Sequence, residues 1–165
     1  MKINVDAALS KNSGISSAAA VARDKDGNFL GASALVVNGI TDPEIIEAIA
    51  CREGLALASD LVLQKFRLAC DNSNVIRSIR EAGLGAYGHI VQEIRARARE
   101  FRTTEFVHEN RASNVDAHNL ARNAIYAGLG LKYKEGLSSP LSCPVRYMQN
   151  REDLKKVDSS SSDGM

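Results

Sequence analysis

The sequence predicts a mixed α/β domain with five strands in one sheet and helices on both of its faces. Three strand-like segments follow one another with short turns between them, which is typical of an antiparallel meander. Two later strand-like segments each follow a helical segment. Strands four and five are therefore expected to run parallel to strand one by right-handed crossovers.

The first three strands are predicted from alternating polarity and from the turns that separate them. In the opening segment, Ile3, Val5 and Ala7 alternate with more polar neighbours at the period of a strand. The Asp-Gly pair at 26–27 and the Asn-Gly pair at 38–39 are typical of tight turns. These signals predict strands over 2–9, 15–23 and 29–37.

A long helix is predicted over 44–63, with Thr41 or Asp42 as its cap and Pro43 in its first turn. On this helix, Glu47 lies in line with a stripe of small residues at intervals of three and four: Cys51, Gly54 and Ala58. Small residues allow a helix to lie close to a sheet. Glu47 is therefore expected to point toward the sheet and away from open water.

The later elements are predicted, in chain order, as a strand over 65–70, helices over 72–83 and 87–101, a strand over 103–108 and a helix over 113–126. Residues 1–128 are predicted to form one domain. Residues 129–165 are predicted to be a flexible, disordered tail, because they are rich in Ser, Gly and Pro and include a serine run.

Composition bounds the possible functions. The net charge of +1 argues against a strongly basic nucleic-acid binder, although a local basic face is compatible with it. The chain contains no apolar run long enough for a membrane span and no signal-peptide pattern, so we expect an intracellular, nuclear or cytoplasmic protein that is not secreted. Its three cysteines lack metal-binding spacing and are interpreted as free packing residues in a reducing compartment.

Three acids are the candidate functional residues. Asp6 lies in mid-strand, where an unpaired buried carboxylate is costly, so it either faces water or has a partner. Asp71 ends the fourth strand, and Glu47 is directed toward the same place. If the first and fourth strands are parallel neighbours, the three carboxylates meet at the carboxyl edge of the sheet, where α/β folds bind ligands.

Converging carboxylates repel one another unless they hold protons or bind divalent cations. Oxygen ligands suit Mg²⁺ or Mn²⁺, and two such ions about 4 Å apart suit phosphodiester hydrolysis. Two alternatives remain open: Glu47 as an ordinary exposed helix residue, and Asp71 as the cap of the helix that follows it.

Four segments of the chain resemble known sequence motifs. Residues 2–8, KINVDAA, resemble K-[IL]-N-x-D-G-A, and residues 47–55 resemble A-E-x-x-A-L-x-x-G-L on a helix. Residues 66–73 resemble a strand that ends in E-S-D-S, and residues 106–108 with 114–122 resemble V-x-R-x-x-N-x-x-A-[DH]-x-L-A-R. In this order, the motifs resemble those of the plant ribonuclease H-like domains that are related to retroelement reverse transcriptases.

The resemblance implies a ribonuclease H fold that cleaves the RNA strand of RNA–DNA hybrids with two Mg²⁺ ions. Independently of the resemblance, we expect no membrane partner, and a monomer is the default. By position, the implied catalytic residues are Asp6, Glu47, Asp71, His108 and His118, with the first three as metal ligands. The implied nucleic-acid contacts include Asn72 and Asn114.

His118 departs from the catalytic pattern, because it occupies the fourth acidic position. Imidazole is a poor ligand for Mg²⁺ and a better one for Mn²⁺ or Zn²⁺. Asp116 is not expected to substitute, because Ser113 and Asp116 form a capping-box pattern that directs Asp116 away from the site. A binding module without cleavage, or a protein-interaction domain with vestigial acids, therefore remains an alternative.

An arginine-rich helix face is the remaining candidate. Arg95 and Arg99 are predicted to contact phosphates, together with Arg97 and Arg102 on the same side, although a solvated face is the alternative. Aromatic residues make up 5% of the chain and Trp is absent, so binding by base stacking is not expected.

Overall fold

The structure, a computed structural model, describes residues 1–83, 85–127 and 131–134. The strands within these residues are Lys2–Ser10 (β1), Ile15–Arg23 (β2), Phe29–Asn38 (β3), Lys65–Cys70 (β4), Thr103–His108 (β5) and Leu131–Lys134 (β6). The helices are Pro43–Asp60 (α1), Ser73–Glu81 (α2), Gly88–Ala98 (α3) and Val115–Ala127 (α4), and a 3-10 turn, Arg111–Ser113, precedes α4.

The strands form one sheet in the order β5-β4-β1-β2-β3-β6. β1, β2 and β3 are antiparallel neighbours, whereas β4 is parallel to β1 and β5 is parallel to β4. This topology confirms the predicted five-stranded mixed sheet. It also makes β1 the central strand, with a parallel neighbour on one side and an antiparallel neighbour on the other.

The sixth strand was not predicted from the sequence. β6 pairs antiparallel with β3, and Gly31 lies opposite Lys134. Residues 131–134 therefore extend the sheet, although they fall in the segment predicted as a tail. Four residues are too few to show a period of their own, and their strand conformation depends on the edge that β3 offers. The rest of that segment, residues 129–130 and 135–165, lies outside the described residues.

Helix α1 lies unusually close to the sheet. A Cβ atom added at Gly54 would approach Val5 Cγ1 and Leu68 Cδ1 to 2.8 Å. Asp42 starts the helix, since its side chain accepts a hydrogen bond of 2.9 Å from the Glu44 N–H. The predicted stripe of small residues is therefore confirmed, and it holds Glu47 against the sheet.

Helix α4 packs on the opposite face, across β1, β2 and β3. The interface is built largely from small buried side chains, chiefly Ala19, Ala32, Ala34, Ala117, Ala121 and Ala124. β1 is therefore covered by α1 on one face and by α4 on the other. Among the described residues, no helix is long and apolar enough to cross a membrane.

Candidate carboxylate site

Strand register brings Asp6 and Asp71 to the same edge of the sheet. Val5 lies opposite Cys70 in the parallel pair β1–β4, and Cys70 lies opposite His108 in the pair β4–β5. Asp6 and Asp71 are the next residues along two adjacent parallel strands. Asp6 is only 4% exposed, so the alternative of a wet outer strand face is excluded.

Glu47 supplies the third carboxylate from α1. Burial raises the pKa of Glu47 far above its usual range, and the neighbouring Cys70, Asp6 and Asp71 side chains raise it further. Glu47 Oε2 also lies 3.5 Å from the Cys70 sulfur, which donates to it. The alternative of an ordinary exposed helix glutamate is therefore excluded.

Asp71 faces the same cluster. Burial and the Asp6 carboxylate raise its pKa, and the Arg111 guanidinium and His118 oppose this effect. Arg111 Nε lies 3.5 Å from Asp71 Oδ2. Asn72 caps α2 instead of Asp71, since Asn72 Oδ1 accepts hydrogen bonds of 3.1 Å from two N–H groups of the first turn. Asp71 is therefore not the cap of that helix.

The residues present fit a hard divalent cation. Ligand atoms of Glu47, Cys70 and Asp71 all lie within 4.8 Å of one another. Contact with Cys51 and burial raise the pKa of the Cys70 thiol well above its usual range, so the thiol holds its proton and the carboxyl oxygens are the ligand atoms that suit such a cation. Burial, and after it the neighbouring acids, raise the pKa values of Glu47 and Asp71, and a bound cation would offset both effects.

His118 contacts the central acid directly. Its Nδ1 atom lies 2.8 Å from Asp6 Oδ2, and the His118 side chain is 47% exposed, whereas that of Asp6 is 5% exposed. The position at which the resemblance predicts a fourth acid therefore carries an imidazole that is paired with Asp6. One edge of this imidazole is buried against the acid and the side chain still reaches solvent.

Asp116 points away from the site, as predicted, but for a different reason. Its Oδ2 atom forms an ion pair of 2.6 Å with Arg23 Nη2 on β2. The capping-box expectation is corrected, because α4 begins at Val115, one residue too late for a cap at Ser113. Ser113 lies in the 3-10 turn, and its hydroxyl donates to Asn110 Oδ1 at 3.5 Å.

His108 and Asn114 both lie beside the carboxylates. His108 Nε2 is 3.2 Å from the Asp71 carbonyl oxygen. Asn114 is buried, and its Nδ2 donates a hydrogen bond of 2.8 Å to the Val5 carbonyl. Asn114 therefore holds the β1 backbone one residue before Asp6.

Sequence reasoning missed a network that holds the loop after β5. Asn4 Nδ2 donates to Glu109 Oε2 at 3.3 Å and to the Ser113 carbonyl at 3.2 Å, and Lys2 forms an ion pair with Glu109. This loop also carries Arg111. The sequence offered one signal for this network. Glu109 directly follows the predicted fifth strand, as Asp71 directly follows the fourth, so both residues are expected at the same edge of the sheet.

The predicted arginine face is divided by its contacts. Arg95 Nη1 donates to the carbonyl oxygens of Ile79 at 2.6 Å and Arg80 at 3.2 Å, so it closes the end of α2. Arg97 forms an ion pair of 2.6 Å with Glu93. Arg99 is exposed just beyond α3, which ends at Ala98 and is shorter than the predicted helix over 87–101. The roles of Arg95 and Arg99 toward nucleic acid stay predictions.

A mixed sheet of this strand order, with helices on both faces, defines a ribonuclease H-like α/β protein. The chain resembles ribonuclease H1 from the archaeon Halobacterium salinarum, with 24% identity, a TM-score of 0.66, and coverage of 76% of this chain and 97% of that one. It resembles the N-terminal ribonuclease H domain of rv2228c from Mycobacterium tuberculosis, with 22% identity, a TM-score of 0.67, and coverage of 76% and 94%.

A further solved structure is LC11 ribonuclease H1 in complex with an RNA/DNA hybrid, with 21% identity, a TM-score of 0.67, and coverage of 77% and 97%. At these identities the likeness shows the fold. Residues 4–124 match the reverse transcriptase-like family, and the chain belongs to that family. No curated protein sequence matches the chain.

Proposed function

We propose that this chain is a metal-dependent endonuclease that hydrolyses the RNA strand of RNA–DNA hybrids. The observation that supports this function is the convergence of Asp6, Glu47 and Asp71 at the carboxyl edge of the sheet, where burial and mutual repulsion raise the pKa values of Glu47 and Asp71. The structural relative LC11 ribonuclease H1 was solved with such a hybrid, which supports the same substrate class.

In this proposal, Asp6, Glu47 and Asp71 would hold two Mg²⁺ ions, with Mn²⁺ as an alternative. Bound cations supply Lewis acidity at the scissile phosphate and a more acidic water. The protein fixes the carboxylates before substrate arrives, because Asp6 lies on the central strand and Glu47 on a helix held close to it. Asn114 adds to this rigidity through its bond to the Val5 carbonyl.

The exposed groups around the carboxylates would contact the substrate. His108 lies against the Asp71 carbonyl and would move a proton during reaction or product release. Arg111, whose side chain is 92% exposed, would turn from Asp71 toward a phosphate once cations occupy the site. Asn72, Arg95 and Arg99 are the proposed contacts farther along the hybrid, which would be recognised by shape and backbone.

A second candidate function is binding of nucleic acid without cleavage. The pairing of His118 with Asp6 favours it, since imidazole at this position adds no negative charge and is a poor match for Mg²⁺. In that case the domain keeps the fold and its exposed arginines but holds cations too weakly for hydrolysis.

A cleavage assay separates the two functions. The full chain is incubated with a labelled RNA–DNA hybrid in Mg²⁺ and in Mn²⁺, beside Asp6→Asn and the control Asp26→Asn, which lies in an exposed turn. The nuclease is supported if wild type cleaves the hybrid, Asp6→Asn lowers the cleavage rate at least about 100-fold, and Asp26→Asn leaves the rate unchanged. Absence of cleavage at high protein concentration, with hybrid binding retained in chelator, supports the binding module instead.

We also propose an origin and a location. The motif resemblance, together with membership of the reverse transcriptase-like family, supports descent from a plant retroelement. An intracellular protein, nuclear or cytoplasmic, suits the hybrid substrate and the free thiols of Cys51 and Cys70. A fluorescent fusion observed in plant cells tests the location.

A further inference from the structure

Two buried thiols lie directly behind the carboxylates. Cys51 follows Glu47 by one turn of α1, and Cys70 ends β4 immediately before Asp71. Both cysteines are 0% exposed, and Cys70 Sγ lies 3.5 Å from Glu47 Oε2. The cluster therefore combines two soft sulfur atoms with two hard carboxylates, which the proposed hydrolysis does not need.

We propose that Glu47, Cys70 and Asp71, supported by Cys51, form a binding site for one thiophilic divalent cation, Zn²⁺ or Cd²⁺. The site shares two carboxylates with the proposed nuclease centre, so occupancy by the thiophilic cation and by Mg²⁺ would be mutually exclusive. This inference rests on the proposed function only for its consequence, inhibition of cleavage. Binding of the cation itself is independent of it.

The distances suit such a site. The ligand atoms of Glu47, Cys70 and Asp71 lie within 4.8 Å of one another. In a tetrahedral zinc site the ligand atoms are roughly 3.5 Å apart, so a contraction of about 1 Å would complete the coordination. The Asp71 side chain is 12% exposed, which gives an ion a path from solvent to the buried sulfur.

The chemistry of the ligands selects the ion. Mg²⁺ takes oxygen ligands, whereas a mixed set of sulfur and carboxylate suits Zn²⁺ or Cd²⁺. The Asn72 N–H donates to Cys70 Sγ at 3.4 Å, which orients the sulfur and would stabilise it as a bound thiolate. Glu47 and Asp71 supply the remaining negative charge.

Binding forms bonds from the cation to the Cys70 sulfur and the Glu47 carboxylate, and it breaks the S–H bond of Cys70 and the O–H bond of Glu47. Both protons leave to solvent, and no group is oxidised or reduced. Cys51 stays behind the bound sulfur and either remains a thiol in contact with it or supplies a fourth ligand. The reaction therefore needs only the cation.

The test is a titration of the full chain with CdCl₂ under reducing conditions, without nucleic acid. Formation of the thiolate–cadmium bond is followed by its ultraviolet charge-transfer absorption. Wild type and Cys143→Ser, which removes a thiol that is not among the proposed ligands, are expected to show the band saturating at one equivalent. Cys70→Ser is expected to lose the band, and its fold is checked by circular dichroism.

Retention of the band in Cys70→Ser, its absence in wild type, or its loss in Cys143→Ser would overturn the inference. If Cys70→Ser does not fold, Cys51→Ala and Glu47→Gln replace it, and both are expected to weaken Cd²⁺ binding at least about tenfold. A chain that cleaves hybrid but shows no band disproves this site alone. A chain that shows the band but does not cleave hybrid disproves the proposed nuclease alone.

Discussion

His118 on α4 and Asp6 on β1 are joined by a contact of 2.8 Å between Nδ1 and Oδ2. The two residues are 112 positions apart in the chain, and the contact joins the helix on one face of the sheet to its central strand. It places a nitrogen ligand at the point where the resemblance implies a fourth carboxylate. Any metal chemistry at this edge therefore depends on what His118 contributes.

Replacing His118 by Asp is expected to raise hybrid cleavage in Mg²⁺ at least about tenfold, because a fourth carboxylate strengthens binding of a hard cation. Initial rates at a fixed low Mg²⁺ concentration measure the effect. Asp116→Asn is the matched control on the same helix, and it should leave the rate unchanged because Asp116 is paired with Arg23. If the cleavage rate of His118→Asp stays at or below that of wild type, residue 118 does not occupy the fourth ligand position.

The metal-free protein is expected to lose stability as pH rises. The folded state raises the pKa of Glu47 above its ordinary value of 4.5, so above that pH the unfolded chain has released a proton that the folded chain still holds. Unfolding then releases a proton, and the free energy of unfolding falls with increasing pH. Thermal unfolding in chelator, followed from about pH 5 to about pH 8, measures this slope.

Glu47→Gln is expected to flatten that slope and to stabilise the metal-free protein at the upper end of the range by about 1–3 kcal/mol. The same variant should bind Mg²⁺ more weakly, because an amide carries no charge. The control is Glu100→Gln, at an exposed position. Equal slopes for wild type and Glu47→Gln would show that the carboxyl group is not held in its protonated form.

Gly54→Ala is expected to destabilise the protein by about 1–2 kcal/mol, since the overpacking against Val5 and Leu68 exceeds the gain in helix propensity. Denaturant unfolding measures the change. Gly85→Ala is the control, because a Cβ there meets no atom within 4 Å, and it should change stability by less than about 0.5 kcal/mol. A neutral Gly54→Ala would mean that α1 has room to move away from the sheet.

Arg99→Ala and Arg95→Ala are expected to act on different properties. Arg99 is exposed, so its loss should lower the salt dependence of hybrid binding by about one unit of slope without changing the melting temperature. Arg95 holds two carbonyl oxygens of α2, so its loss should lower the melting temperature. Binding measured across a salt series, with parallel thermal melts, distinguishes them. If both variants lower the salt slope equally, Arg95 and Arg99 belong to one surface that contacts the phosphates.

The order of strands and the meeting of Asp6, Glu47 and Asp71 were predictable because they follow from local patterns. Alternation identifies the strands, the small-residue stripe directs Glu47, and right-handed crossovers leave few places for β4. Asp6 could be singled out since its residue type contradicts its strand environment. In each case the informative residues are neighbours in the chain.

The tertiary structure alone decided which side chains touch. The pairing of His118 with Asp6, the bonds of Asn4 to the loop after β5, and the placement of Arg95 on α2 all join residues distant in sequence. β6 likewise has no pattern of its own and depends on the edge of β3. Periodicity determined which face of an element is buried, but the partner of a buried polar group depends on register and rotamer, which only the packed sheet and helices specify.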